Sequence, residues 1–231
     1  EVERGQRDVP TDLLGAGKIT GSTDNWRYGV LGAFEDDVEW RARDVNDEEV
    51  LLTGQGRDFA VARVQYTGTE NTSWGYMGTY MTGSEFDASV HSLDAHLTAG
   101  GGVLNADAQF IMSDRDGIEG YGAMFDALYA ASPNLRHKFE LDIMDENIDF
   151  NDLGFLRRND YVLGRYVLLY NKQKVNKSLS NYRTTLVIKQ QHNMQENQVT
   201  DSAVLWRSSV VLPGRNSLRV GIGYFPKRYE D

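Results

Sequence analysis

The feature that most constrains the fold is an alternation of apolar and polar residues that recurs along most of the chain. Between residues 217 and 224, the even positions carry Leu, Val, Ile and Tyr, whereas the odd positions carry Ser, Arg and Gly. Successive side chains of a β-strand point to opposite faces, so this period of two predicts strands with one apolar and one polar face. The same pattern occurs near residues 26–35, 93–97, 104–112, 121–129, 135–143, 162–170, 182–189 and 200–212.

Three further strands are predicted near residues 13–20, 58–67 and 73–82, which brings the total to about twelve strands of roughly ten residues. A tilted strand of about ten residues has the length needed to cross a bilayer. The mean hydropathy of −0.50 is that of a water-soluble protein. Transmembrane barrels nevertheless combine low hydropathy with membrane insertion, because only every second residue faces lipid.

The links between predicted strands differ in length on the two sides of the sheet. Links after odd-numbered strands are mostly short, near residues 21–24, 68–71, 100–102, 132–134 and 213–216. Links after even-numbered strands are mostly longer, near 36–57, 82–88, 113–120 and 145–160. Two links break the rule: the one between the ninth and tenth strands is predicted to be long and basic, with Lys172, Lys174 and Lys177, and the next is short. Short turns on one side and long loops on the other are typical of outer-membrane barrels.

These patterns predict an all-β fold, an antiparallel up-and-down transmembrane β-barrel. If the short turns are periplasmic, the first strand begins outside the cell and the last strand ends there. An intact barrel of this kind has both ends in the periplasm. We therefore expect residues 1–231 to form a single segment of a larger barrel, with strands missing at both ends.

The alternation is interrupted between residues 149 and 161, where an oxygen-rich run leads into glycine, aromatic and arginine residues. This signature segment comprises Asp149-Phe150-Asn151, the spacer Asp152-Leu153, Gly154-Phe155-Leu156-Arg157-Arg158 and Asn159-Asp160. It resembles the signature of a bacterial outer-membrane β-barrel family of unknown function, although the spacer is one residue shorter here. Residues 54–59 and 224–229 are also similar to that family.

The resemblance implies an outer-membrane location and an association with carbohydrate, because the family's barrel commonly follows a carbohydrate-binding domain similar to family 9 modules. It supplies no catalytic mechanism. The quoted motifs cover about a tenth of the chain, and the resemblance in barrel architecture covers most of it.

Residues 145–152, which overlap the signature segment, are also a candidate metal site, since oxygen ligands alternate there. The calcium-loop template requires Gly at its sixth position and Glu at its twelfth. The chain has Phe150 and Leu156 at those positions, so the template fails and we predict neither a metal nor a cofactor. The favoured interpretation is a structured loop in which Arg157 and Arg158 pair with carboxylates and backbone carbonyls.

No motif predicts an enzyme. The chain contains no cysteine, and it has no G-x-S-x-G nucleophile elbow and no H-E-x-x-H pair. Pairs of catalytic carboxylates cannot be identified from sequence, because their spatial separation defines them. The net charge of −10 argues against nucleic acid as a partner, since a phosphate-binding surface is basic.

The polar face of the predicted strands carries charges of both signs. A ring of one sign would indicate ion selectivity, whereas mixed charges favour an internal lattice of salt bridges. We predict that these charges face the lumen of the barrel: Arg136, Lys138, Glu140, Asp142, Arg165, Arg183, Lys189, Arg207 and Arg219. Trp and Tyr residues on the apolar face are interpreted as interfacial girdles rather than as sugar-binding platforms.

The sequence therefore predicts a protein of the bacterial outer membrane with a transport or envelope-structural role. Its expected partners are outer-membrane lipid and lipopolysaccharide, and the resemblance adds carbohydrate. Two alternatives remain open. One is a soluble, secreted β-sandwich or barrel that binds glycans, and the other is an outer-membrane hydrolase with its site in the extracellular loops.

Overall fold

The computed structural model describes residues 11–46, 48–68, 71–151, 154, 156–177, 179–212, 214 and 216–229. These residues form fourteen β-strands and no α-helix. The strands are β1 (Leu13–Ser22), β2 (Trp26–Glu35), β3 (Val38–Arg43), β4 (Glu49–Gly54), β5 (Asp58–Thr67), β6 (Ser73–Thr82), β7 (Asp87–Ala99), β8 (Leu104–Arg115), β9 (Ile118–Ser132), β10 (Leu135–Met144), β11 (Tyr161–Asn176), β12 (Leu179–Asn193), β13 (Val199–Val211) and β14 (Ser217–Tyr224).

Twelve of the strands form one antiparallel sheet in the order β1-β2-β5-β6-β7-β8-β9-β10-β11-β12-β13-β14. Each strand pairs with the next along the chain, except that β3 and β4 form a separate two-stranded sheet between β2 and β5. The prediction of an all-β antiparallel fold is confirmed. Strands β1 and β14 lie at the two edges and do not pair with each other in the described part of the chain, so the sheet is not a closed barrel.

Two of the predicted links are wrong, and a third holds structure that was not predicted. The link near 113–120 is only a two-residue turn, because Asp116 and Gly117 both adopt positive φ (53° and 79°), as a tight hairpin of the Asp-Gly type requires. The basic stretch with Lys172 and Lys174 belongs to β11, which ends only two residues before β12 begins. The predicted long loop at 36–57 contains the β3–β4 hairpin. The two longest links, 36–57 and 145–160, do leave the same end of the large sheet.

One face of the large sheet is apolar and exposed across neighbouring strands. Its cross-strand pairs include Leu93 with Phe110 and Phe139 with Tyr166, and the row continues through Ile188 to Val204. The accessible surface is 15721 Å², whereas a compact monomer of 26.0 kDa exposes about 10,500 Å². Protein atoms therefore do not cover this apolar face.

The aromatic residues predicted to form girdles all lie on this apolar face. Near the short-link end, Trp26 contacts Tyr66 with ring centroids 5.0 Å apart, and Tyr170 contacts Tyr182 at 6.0 Å. Trp74 pairs across the strands with Tyr66. Aromatic rings with a polar atom at one edge suit a boundary between an apolar and an aqueous phase.

The opposite face carries the charged residues, and the register places all nine of the predicted lumen-facing charges on it. Several of them form ion pairs between strands. Glu140 accepts from Arg165 at 3.2 Å and lies 3.7 Å from Lys138, which also contacts Asp126 at 3.3 Å. We call this charged face the polar face, and we call the opposite, exposed face the apolar face.

Candidate functional site

The link between β10 and β11 folds onto the polar face of the sheet. This inner loop (residues 145–160) places Ile148, which has no exposed surface, against Ile111 and Met144 of the sheet. Phe150 and Leu156 of the loop pack against the same cluster. The loop, which was predicted to be a structured one, therefore shares an apolar cluster with the polar face of the sheet.

Two glycines of β9 allow the loop to lie this close to the sheet. A Cβ atom at Gly120 would be 2.3 Å from the backbone of Ile148. A Cβ atom at Gly122 would be 2.7 Å from both the Ile148 Cδ1 atom and the Met144 Sδ atom. Contacts under about 3 Å between such atoms are not sterically allowed, so at Gly120, where the obstacle is backbone, only glycine fits beneath the loop. At Gly122 the obstacles are the ends of two flexible side chains, which would have to shift to admit a Cβ atom.

The base of the loop is closed by Asp145. Its backbone N–H donates to the Tyr121 carbonyl at 3.0 Å, and its carboxylate accepts from the Tyr121 N–H at 2.8 Å. The same carboxylate accepts from the N–H groups of Asn147 and Ile148 at 3.1 and 2.8 Å. These bonds satisfy backbone groups that have no strand partner, and so they fix the direction in which the loop leaves β10.

The first residue of the signature segment, Asp149, ties the middle of the loop to β8. Its N–H donates to the hydroxyl oxygen of the buried Ser113 at 3.0 Å. Its carboxylate lies 2.7 Å from the Arg115 guanidinium and also accepts from the N–H and side-chain amide of Asn151. Arg115 in turn stacks on the Phe86 ring, 3.7 Å from the centroid.

Two opposing effects act on the pKa of Asp149. Partial burial raises the pKa, but hydrogen bonds from the Asn151 backbone and the Arg115 side chain stabilise the anion, so the pKa falls below its ordinary value. The carboxylate is therefore ionised at neutral pH and holds the loop in place through its charge.

The rest of the signature segment turns back over the ring and backbone of Phe150. Asn151 accepts the Leu156 N–H at 2.8 Å. A Cβ atom at Gly154 would be 2.8 Å from the Phe150 carbonyl oxygen, which accounts for glycine there. Asp160 accepts from the N–H groups of Met194 and Gln195, at 3.2 and 3.3 Å, and thereby links the loop to the β12–β13 turn. Asp152, Leu153 and Phe155 lie outside the described residues.

A cavity of about 720 Å³ lies between the inner loop and the polar face. The loop contributes Phe150, Gly154, Leu156, Arg157 and Arg158 to its wall. The sheet contributes methionine, glutamine and hydroxyl side chains from eight consecutive strands, β6 to β13. A bound molecule there would meet an apolar wall with guanidinium and amide groups, which is the usual composition of a small-molecule site.

The residues that line this cavity indicate that the sheet is curved. In a flat sheet, β6 and β13 would be seven strand spacings apart, about 34 Å. Thr79 of β6 and Asp201 of β13 line the same cavity, so the sheet must curl around it.

The structure brings together only part of the predicted site. Seven described residues of the signature segment belong to the inner loop: Asp149, Phe150, Asn151, Gly154, Arg157, Arg158 and Asp160. The ion pair of Asp149 is made by Arg115, a residue that the sequence analysis did not single out. Gly120, Gly122 and Ser113 were also missed. The spacing of Gly120 and Gly122 on one face of a strand was the one available signal, because glycine in a strand often marks a close approach of other backbone.

No group of three His, Asp or Glu side chains in the described ranges is arranged to share a metal ion. Nor is any helix of those ranges long and apolar enough to cross a membrane.

Comparison with known proteins identifies one family. The family model described as a domain of unknown function (DUF5916) matches residues 3–231. No curated protein matches the chain, and no solved structure does. The match agrees with a family of unknown function, whereas the outer-membrane and carbohydrate associations of the resemblance stay predictions.

Proposed function

We propose that this chain, which belongs to the DUF5916 family of unknown function, forms part of a β-barrel of the bacterial outer membrane with a transport or envelope-structural role. In this proposal the apolar face contacts lipid and outer-membrane lipopolysaccharide, and the polar face lines the interior. The inner loop narrows that interior, and the 720 Å³ cavity is the place where a passing or bound solute is held.

The observation that carries the proposal is the curl of the sheet around a cavity on its polar side. A curled antiparallel meander with polar residues inside and apolar residues outside is the arrangement that a bilayer requires. The strands of the large sheet are 8 to 16 residues long, which spans the length needed to cross a membrane at a tilt. The barrel would be closed by strand pairing at the edges of β1 and β14.

The uncovered apolar surface supports the same proposal. Monomeric soluble proteins rarely expose contiguous apolar patches larger than a few hundred Å². Five strands of the large sheet expose large apolar side chains here: Trp74 on β6, Leu93 on β7, Phe139 on β10, Trp206 on β13 and Ile222 on β14. A lipid environment would cover all of them, whereas a soluble glycan-binding protein would leave most of them in water.

The proposal assigns no catalytic chemistry to the site. The carboxylate of Asp149 is already bound by Arg115 and Asn151, which suits a structural role in the loop. Carbohydrate is a candidate solute only through the resemblance, and nucleic acid is not proposed as a partner.

Two adjacent residues of β13 provide the test, because they point to opposite faces. Val204 lies on the apolar face beside Ile188, and Leu205 lies on the polar face beside Val187. We expect Val204→Asp to reduce folding into phosphatidylcholine vesicles strongly, because a charge facing lipid costs about 1–3 kcal/mol. Leu205→Asp, which places its charge near Arg207 and Lys189, should fold nearly as well as the unaltered chain.

The measurement is the fraction of protein that migrates as a compact, heat-modifiable band after refolding with vesicles. Equal losses for the two variants would mean that the faces are assigned wrongly. Stable, monodisperse folding in buffer without detergent would overturn the membrane proposal and favour the soluble alternative. Hydrolysis of a glycan or lipid substrate that depends on an acidic loop residue would favour the hydrolase.

A further inference from the structure

The polar face of β11–β14 is strongly basic, although the chain as a whole has a net charge of −10. In the described residues of these four strands, Asp201 is the one carboxylate on this face. Five cationic side chains share the face: Arg165, Arg183, Lys189, Arg207 and Arg219. We infer that this surface holds a binding site for a small oxyanion, centred on the arginine cluster formed by Arg183, Arg207 and Arg219.

The cluster differs from the remaining cations in its partners. Arg165 pairs with Glu140 at 3.2 Å, and Lys189 pairs with Asp201. Asp201 is further occupied by Arg228 at 3.1 Å. Within the described ranges, no carboxylate lies within ion-pair distance of Arg183, Arg207 or Arg219. The positive charge of the cluster is therefore not neutralised by those residues.

The register brings the Cα atoms of the three arginines close together on one face. Arg183 of β12 and Arg219 of β14 are the two cross-strand partners of Ser209 on β13. Arg207 lies two residues from Ser209 on the same face. Adjacent strands are about 4.8 Å apart and alternate residues are about 6.8 Å apart, so the three Cα atoms lie within about 10 Å of one another. Long arginine side chains can converge over such a span on a single ligand.

The space beside the cluster is open. A cavity of about 430 Å³ is lined by Arg207 and by the two ion pairs Arg165–Glu140 and Lys189–Asp201, so Arg207 is the cation of the cluster that borders it. Gly221, the β14 partner of Arg207, adds no side chain to fill it. This cavity shares Leu163, Gln191 and Asp201 with the cavity beneath the inner loop, so the two spaces adjoin along the polar face.

This chemistry selects the ligand class. The planar guanidinium group presents paired N–H donors that match the oxygen atoms of phosphate, sulfate or carboxylate. Ser209 adds a hydroxyl group at the centre of the cluster. A multivalent oxyanion that contacts two or three arginines would be favoured over chloride, which offers no bidentate geometry. The cluster lies on the face opposite the exposed apolar residues, which favours a free solute over a lipid headgroup.

The test uses the full chain in an uncharged detergent, titrated with inorganic pyrophosphate by isothermal titration calorimetry at low salt. We expect saturable binding, and we expect the double variant Arg183→Gln/Arg207→Gln to weaken it by about tenfold or more, because two charge-assisted contacts are lost. The double variant Arg183→Lys/Arg207→Lys keeps the charge and should lose affinity to an intermediate extent.

A matched control is available on the same face. Lys18 and Arg27 are exposed on the polar face of β1 and β2, at the other edge of the sheet, and no carboxylate pairs with either in the described part of the chain. Lys18→Gln/Arg27→Gln removes the same charge and should change the affinity by less than about twofold. An equal loss of affinity in this control would show that the effect comes from net charge alone, and it would overturn the inference. Absence of binding by the unaltered chain would also overturn it.

Folding of each variant is verified by its circular dichroism spectrum. If the Gln double variant does not fold, the Lys double variant and the control decide the outcome between them. Glycerophosphate, offered in place of pyrophosphate, distinguishes the sources of the anion: tighter binding of the headgroup analogue would contradict a free-solute site. The assay requires no vesicle insertion, so its failure and a failure of the membrane proposal are separate results.

Discussion

The two longest links leave the same end of the large sheet and behave in opposite ways. The β3–β4 hairpin forms a separate two-stranded sheet, and Val45 near its tip is fully exposed. The inner loop turns onto the polar face, and Ile148 near its start is fully buried. Both segments are rich in acidic residues, so charge alone does not decide which of them folds inward.

The difference lies in how each segment satisfies its backbone. The hairpin pairs its own strands from Val38 to Gly54, and Asp44 accepts the N–H groups of Asn46 and Glu48 in the turn. Those two backbone hydrogen bonds lower the pKa of Asp44. The hairpin therefore needs little from the large sheet.

The inner loop has no ladder of its own. Its N–H groups donate to the side chains of Asp145, Asp149 and Asn151, and one donates to Ser113 of the sheet. Its apolar side chains are covered only when the loop lies on the sheet. Docking and folding of the loop are consequently the same event, which makes the loop the element whose position a ligand or mutation can change.

The largest effect should come from filling the space beneath the loop. Gly120→Val places side-chain atoms where the Ile148 backbone lies, so the loop must leave the polar face. Because the overlap is with backbone, its cost exceeds the roughly 1–3 kcal/mol that is typical of overpacking, and we expect trypsin to cleave after Arg157 and Arg158 at least about tenfold faster.

Gly164→Val is the control for that change, since a Cβ atom at Gly164 meets nothing within 4 Å. It makes the same substitution in a neighbouring region of the sheet but on the apolar face. Cleavage that rises equally in both variants would show that valine destabilises the sheet rather than displacing the loop.

A smaller effect is expected from shortening one buried side chain. Ile148→Ala removes methyl and methylene groups from a fully buried site, which costs about 2–5 kcal/mol when the whole loss falls on the native state. Partial collapse of the loop onto Gly122 should keep the effect near the lower limit. The matched change in the hairpin, Val45→Ala, should cost less than about 0.5 kcal/mol because Val45 is exposed.

Both variants are tested by hydrogen exchange, measured in peptides that span residues 145–160 for Ile148→Ala and residues 38–54 for Val45→Ala. We expect faster exchange in the loop for Ile148→Ala and no change in the hairpin for Val45→Ala. Slow exchange of the loop in Ile148→Ala would contradict the importance of this contact.

The smallest effect concerns pH. The folded-state pKa of Asp149 is lowered, so its ionised carboxylate stabilises the docked loop above the unfolded-state pKa, and this contribution is lost as pH falls through the folded-state value. The loss should begin near pH 4 and amount to about 1 kcal/mol, because the pair with Arg115 is partly exposed.

Because the chain contains no cysteine, a single Asn147→Cys can carry a fluorophore that reports loop docking during an acid titration. Adding Asp149→Asn should remove the change near and below pH 4. A titration of the same size in the Asn variant would assign the effect to another carboxylate.

Much of the fold was predictable because period-two alternation records which face each residue occupies. The predicted strands at 58–67 and 73–82 coincide with β5 and β6, and the charges predicted to share a face do share one. The β8–β9 link is shorter than predicted because Asp116 and Gly117 alone form the turn, and the polar residues that flank them belong to the two strands. The β3–β4 hairpin was missed because its strands are only six residues long, too short for a clear period.

The site was less predictable, because its residues come together from distant parts of the chain. Arg115 and Asp149 are 34 residues apart, and nothing in the sequence around either residue indicates the other. The signature segment could be recognised as unusual from its composition, but its inward direction becomes visible only in its contact with Gly120 of a distant strand.

By itself, the sequence determined the antiparallel strands and the two faces of the sheet, because local side-chain alternation dictates them. Only the tertiary structure decided that the sheet curls until β6 and β13 line one cavity, and that one long link enters this space while the other forms a small sheet of its own. Curvature and loop docking depend on contacts between residues far apart in the chain, such as Ile148 on Gly120 and Asp149 with Arg115, and no local pattern encodes those contacts.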